Sequence, residues 1–142
     1  LLEEGKARSV GVSNFTVAHL EEAQAASEVP ISANQIKYHP GEEKPDALRW
    51  CQEHNVAVTA HTPLGRGRCL QETDLVEIAE GQGKTPAQVV LRWLVQLGMI
   101  VIPKASSEAH LRENMDVFDW SLSAEEMEQV SRMSDSSDEA NS

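Results

Sequence analysis

Four short apolar runs, at residues 9–12, 31–38, 56–61 and 99–102, each give way to a polar turn and then to residues of helical period. That alternation constrains the fold more than any other property of the chain. Short strands separated by helices read as βαβ units, whose crossovers make the strands parallel. After the first run, Ser13-Asn14-Phe15-Thr16 favours a turn and a helix cap, and Val17, Leu20, Ala23 and Ala26 mark the helix that follows. The second run carries Asn34, Gln35 and Lys37, unusual in a buried sheet and suggestive of a lined interior or a ligand. Pro45 suits the first position of a helix through Leu48, Trp50, Cys51 and His54.

The third run passes directly into Thr62-Pro63-Leu64-Gly65-Arg66-Gly67, a loop whose glycines allow the backbone to come close to something. A helix around Leu75, Val76, Ile78 and Ala79 ends at Gly81 and Gly83. Thr85 then caps the next helix, Pro86 fits its first turn and Gln88 completes a capping box. That helix is apolar nearly all round, through Val89, Val90, Leu91, Trp93, Leu94 and Leu97, which predicts that it lies sandwiched. A last helix opens at Ser123 with Glu126 as its capping-box partner, and residues 134–142 read as a polar, acidic, disordered tail.

Strands this apolar are expected to be covered on both faces, yet four of them make an open curved sheet with bare edges. The α/β fold that fits is a (β/α)8 TIM barrel of which residues 1–133 form roughly the second half. The opening residues, Leu1-Leu2-Glu3-Glu4-Gly5-Lys6, carry no initiating Met and read as the last turn of a helix with a Gly stop, so the chain is expected to begin in mid-domain. A doubly wound sheet would call for G-x-G-x-x-G, but Gly65-Arg66-Gly67 has Leu70 where the third glycine belongs.

The chain's 142 residues suffice for one domain, and 23 Asp and Glu against 12 Lys and Arg give a net charge of -11. This argues against sequence-independent binding to nucleic acid or to an anionic membrane, so an anionic ligand must be held by local donors. Cys51 and Cys69 lack metal-type spacing and suggest a reducing compartment, with the cytoplasm as the expected location. Neither a transmembrane run nor a leading signal segment is evident.

In a parallel barrel, functional groups gather at the carboxyl ends of the strands. Here those ends are Ser13 and Asn14, then Gln35 through His39, then His61 through Arg66, then Lys104 through Ser107. In the last group, a strand runs into a lysine and two serines and then a helix through His110, Leu111 and Asn114, which Ser106 or Ser107 can cap. A helix start with cationic and hydroxyl neighbours is a seat for phosphate; the plainer reading is a capped helix with a solvated lysine. Lys104 reads as a phosphate ligand rather than a Schiff-base residue. No acid–base centre stands out. His19 and His54 fall in helices, His39 precedes a proline, no zinc spacing occurs and no G-x-S-x-G elbow is present. Trp50, Trp93 and Phe118 read as core rather than as stacking groups.

Gly5-Lys6-Ala7-Arg8 leading into Gly11-Val12-Ser13-Asn14-Phe15, Asn34-Gln35 with Tyr38-His39-Pro40, Pro63-Leu64-Gly65, Ile102-Pro103-Lys104 and Glu113-Asn114 together resemble the carboxyl-terminal half of an aldo-keto reductase, from Leu1 to Met133. The resemblance implies reduction of small aldehydes or ketones by NADPH, without metal or flavin and with unknown oligomeric state. It implies that Ser13, Asn14 and Gln35 hold the nicotinamide carboxamide, and that Thr62 and Leu64 lie along the pyrophosphate. Lys104 and Ser106 would meet the 2'-phosphate, and Glu113 and Asn114 the adenine. Two positions depart from the family: His61 stands where a tyrosine usually stacks on the nicotinamide, and His110 stands where an arginine often grips the 2'-phosphate and adenine. A neutral imidazole grips less well than a guanidinium, which leaves NADH as the other candidate cofactor. The family's Asp, Tyr, Lys and His tetrad matches no residue here, so no catalytic residue is assigned and the chain alone is expected to be inactive. The other readings are a non-catalytic nicotinamide-nucleotide-binding regulatory protein of the same fold, and a phosphate-binding barrel enzyme without nicotinamide.

Overall fold

The computed structural model describes residues 1–133; the expected tail lies outside them. Its elements run β1 (Val10–Ser13), α1 (Val17–Ala26), β2 (Ile31–Lys37), α2 (Pro45–Glu53), β3 (Ala57–His61), a 3-10 segment (Gly65–Gln71), α3 (Thr73–Gln82), α4 (Pro86–Gln96), β4 (Ile100–Val101), α5 (Glu108–Met115) and α6 (Ala124–Arg132). The strands are parallel and pair in chain order, the arrangement that right-handed βαβ crossovers produce. The chain divides into two compact units, residues 1–36 with 44–59, and residues 37–43 with 60 onward.

In the first unit β1 pairs with β2 in the register Gly11↔Ala33, Val12↔Asn34 and Ser13↔Gln35. A Cβ on Gly11 would lie 3.0 Å from the Ala33 carbonyl oxygen, so the strands approach this closely only with glycine there. Thr16 caps α1 by accepting from the His19 amide, and the His19 ring accepts in return from the Thr16 amide. The turn before β1 closes with Gly5 N–H to Leu2 O and Lys6 N–H to Leu1 O, both 2.9 Å, with Gly5 at φ 68°, the bond pattern of a Schellman helix end. His54 follows α2 and stacks on Trp50, ring centroids 3.9 Å apart.

The second unit is organised around α4, which packs on α3, α5, α6, β4 and the 3-10 segment. Its capping box forms as expected, Thr85 Oγ1 accepting from the Gln88 amide and Gln88 Oε1 from the Thr85 amide. Val89, Val90, Leu91, Trp93 and Leu94 are fully buried, while Arg92 and Gln96 on one side of the helix are only half-buried, so the broad apolar surface of α4 is enclosed and a narrow polar stripe reaches water. Tyr38 packs on the Trp93 ring, and Trp93 Nε1 donates to Ser131 Oγ at 3.1 Å. Gln96 ties the chain after α5 to α4, donating to Leu122 O at 3.1 Å and accepting from its amide at 2.7 Å.

The bare edges expected of a four-stranded sheet are seen: Val10 is exposed and Ile100 is 53% exposed, because β1 and β4 are the ends of the strand order. One expectation needs correction. Phe118 is not core, being 63% exposed beyond the end of α5; Trp50 is half-buried, and among the three aromatics only Trp93 is fully buried.

Candidate functional site

The ends of β1 and β2 are joined into one polar surface. Gln35 O accepts from Ser13 Oγ at 3.1 Å and from the Asn14 amide at 2.8 Å. Asn14 sits at φ 58°, a left-handed conformation that asparagine tolerates better than most residues. Asn34 is 0% exposed and clamps Phe15 from both sides, its Nδ2 donating to Phe15 O at 3.1 Å and its Oδ1 accepting from Phe15 N–H at 3.4 Å. The polar strand residues therefore divide by role. Asn34 is structural and fixes the turn after β1, whereas the neighbouring Gln35 is exposed. The sequence motif groups the two; period-2 alternation is the signal that separates them.

At the end of β3, His61 Nδ1 lies 3.2 Å from Thr62 Oγ1. Thr62 has φ 54°, a costly conformation for a β-branched residue, and Gly65, Arg66 and Gly67 follow at 55°, 58° and 83°. The amides of Gly65 and Gly67 donate to Thr62 O at 3.0 Å and Leu64 O at 2.7 Å, so this loop spends those two N–H groups on itself. The close approach that Gly65 allows is to a side chain, because a Cβ there would meet the His39 ring at 3.1 to 3.3 Å. Gly67, by contrast, has open space around it.

Beneath this loop lies a cavity of about 590 Å³. Among its walls are Lys37, His39 and Glu42 from the segment after β2, and His61, Arg66 and Arg68 from the loop after β3. Glu42 pairs with Lys37 and lies 3.5 Å from His39 Nε2. Cys69 also lines it, and burial raises the pKa of its thiol. Thr62 belongs to the same wall, whereas Leu64, Lys104, Ser106, His110, Glu113 and Asn114 do not. In the sequence Arg66 closes the polar strand end that begins at His61, and Arg68 lies just beyond it; two arginines flanking one glycine are the signal that extends the site.

After β4, Ser107 rather than Ser106 is the cap, its Oγ accepting from the His110 amide at 3.2 Å. Lys104, Ser106 and His110 are exposed around this helix start. Glu113 faces the core-side helix: its carboxylate accepts from Thr85 Oγ1 at 2.5 Å and its carbonyl from Gln88 Nε2 at 3.1 Å. Asn114 is half-buried beside it. Among the described residues no three His, Cys, Asp or Glu side chains converge as metal ligands, and no helix is long and apolar enough to cross a membrane.

The model of the aldo/keto reductase family matches residues 1–135. A glyoxal reductase of Bacillus subtilis is 39% identical over 92% of this chain and 47% of its own length. Aldose reductase B of Dictyostelium discoideum is 36% identical over 94% of this chain and 43% of its own. Among solved structures, a Gox0644 variant in complex with NADPH superposes with a TM-score of 0.89 at 41% identity, over 94% of this chain and 49% of that one. The chain thus spans about half the length of the relatives it matches.

Proposed function

We propose, for a chain that belongs to the aldo/keto reductase family, that the whole protein reduces small aldehydes or ketones and that this chain supplies much of the nicotinamide-cofactor side of its (β/α)8 barrel. NADPH, when bound, supplies the hydride. The observation that carries the reading is the surface joining β1 and β2. A primary carboxamide needs partners that both donate and accept, and the side-chain amides of Asn14 and Gln35 are of that kind. Ser13 spends its hydroxyl hydrogen on Gln35 O and keeps lone pairs to accept one. The donor set fits the group.

His61 takes the position against the nicotinamide face, and Thr62 and Leu64 lie along the pyrophosphate. Lys104 and Ser106 meet the 2'-phosphate; Ser106 is suited to this because Ser107 already serves the helix. Glu113 and Asn114 face the adenine, with Glu113 contributing a carboxylate lone pair not used by Thr85. His110 stands where a guanidinium would favour NADPH, so NADH competes better than in relatives with arginine. The buried thiols Cys51 and Cys69 are free, which agrees with a reducing, cytoplasmic setting.

Catalysis belongs to the whole protein, because no residue of this chain matches the tetrad. Titrating the 142-residue chain with NADPH and NADH while following its thermal midpoint tests the binding reading: NADPH raises the midpoint, and NADH does so by a smaller amount. No carbonyl-dependent oxidation of NADPH is expected in the same preparation. Failure of both nucleotides to shift the midpoint overturns the reading, and turnover overturns the inactivity.

A further inference from the structure

Thr85 does two things with one hydroxyl. As the cap of α4 its oxygen accepts from the Gln88 amide at 3.2 Å, a task that serine, asparagine or aspartate performs as well. Its hydrogen goes to the Glu113 carboxylate at 2.5 Å, 28 residues further along the chain and on α5. The same segment grips the last turn of α5 by other atoms. Gln88 Nε2 donates to the carbonyl of Glu113 at 3.1 Å, to that of Asp116 at 3.4 Å and to the Asp116 carboxylate at 3.2 Å, and the Lys84 ammonium lies 2.8 Å from that carboxylate. Gln88 is 6% exposed, so its bonds are made away from water. The backbone of α5 is thus fixed by Gln88 and Lys84, and the Glu113 side chain by Thr85. Among the described residues Glu113 forms no ion pair, so the hydroxyl is what orients it.

We propose that Thr85 is a positioning residue for the adenine end of the cofactor site: by spending its hydroxyl hydrogen on one oxygen of Glu113, it aims the other at the amino group of the base. The role rests on the cofactor reading given above, in which Glu113 faces the adenine. A carboxylate only accepts, and it keeps lone pairs beyond the one that Thr85 uses. The 6-amino group of adenine donates and is matched. The 6-oxo group of hypoxanthine accepts, so the same oxygen finds no partner there. An unheld glutamate has to be ordered when the base binds, and ordering one such side chain weakens binding about two- to tenfold. Thr85 therefore acts on how well the base is told apart, without touching the nicotinamide or phosphate contacts.

Calorimetric titration of the full chain with NADH and with its hypoxanthine counterpart tests this in the native protein, Thr85→Ser, Thr85→Asp, Thr85→Val, Glu113→Ala and the double variant Thr85→Asp with Glu113→Ala. Serine keeps both tasks of the hydroxyl, aspartate still caps α4 but has no hydrogen to give, and valine loses both. The native chain and Thr85→Ser should prefer NADH. Thr85→Asp and Thr85→Val should each lose about fivefold of that preference, although only Thr85→Val gives up the cap and with it several degrees of thermal midpoint. With Glu113→Ala already in place, Thr85→Asp should change the preference no further. A preference that survives in Thr85→Asp, an equal loss for both dinucleotides, or a loss that adds to that of Glu113→Ala overturns the role, as does a native chain that binds the two equally. Failure of the native chain to bind either dinucleotide overturns the cofactor reading, and the role with it.

Discussion

Asn34 shows how much one buried side chain decides. Its amide group satisfies both the N–H and the carbonyl of Phe15, and its neighbours carry the exposed polar groups at the ends of β1 and β2. Asn34→Leu leaves two backbone groups of the turn without partners and should cost about 1–3 kcal/mol in urea unfolding. The same change should weaken nicotinamide binding, because Asn14 loses its fixed position. Asp116 makes a surface prediction with a defined sign. The Lys84 ammonium, 2.8 Å from its carboxylate, lowers its pKa below the ordinary 3.8, helped by Gln88. A carboxylate stabilised in the folded state contributes in full above its unfolded value and loses that contribution as pH falls through the folded one. Asp116→Asn should therefore lower the thermal midpoint slightly at pH 7, where the contribution is present in full, and converge with the native protein as pH falls below about 4, measured by thermal midpoint against pH.

At the scale of elements, α4 and the loop after β3 carry the second unit. Trp93 is fully enclosed on α4, in contact with Tyr38 and bonded to Ser131 on α6, so Trp93→Ala should cost about 3–5 kcal/mol in equilibrium unfolding. The loop prediction concerns geometry. Gly65→Ala places a methyl against the His39 ring at a positive φ, and should cost about 1–2 kcal/mol in the same assay. Gly67→Ala meets no neighbour and suffers only the backbone term of about 1 kcal/mol. A loss for Gly65→Ala no larger than for Gly67→Ala counts against the His39 contact.

For the whole molecule, the apolar groups left in solvent matter most. Leu111, Met115 and Phe118 recur at helical spacing along and just past α5, and all are more than half exposed. Ile100 and Ile102 are exposed at β4 and just beyond it. A soluble monomer rarely displays that much clustered apolar surface, so the 142-residue chain by itself should bind a hydrophobic dye and self-associate with concentration in sedimentation runs. Leu111→Gln with Phe118→Gln should reduce both signals; no change would place the association elsewhere.

The order of strands and helices, the caps at Thr85 and Ser123, and the burial of the apolar surface of α4 were legible in the residues because each rests on local chemistry: period, cap geometry and a broad apolar surface. The motifs that reveal the family were legible for the same reason, being short and contiguous. The choice of Ser107 over Ser106 as the α5 cap is local, set by which hydroxyl reaches the His110 amide three residues on. The clamp of Asn34 on Phe15 and the partnership of Glu113 with Thr85 were decided only by tertiary structure. Burial and hydrogen-bond partners come from segments distant in sequence, and no local pattern encodes them. The cavity belongs to the same class: Arg66 and Arg68 are ordinary charged residues in the sequence, and only the fold that brings Lys37, His39 and Glu42 beside them makes a site.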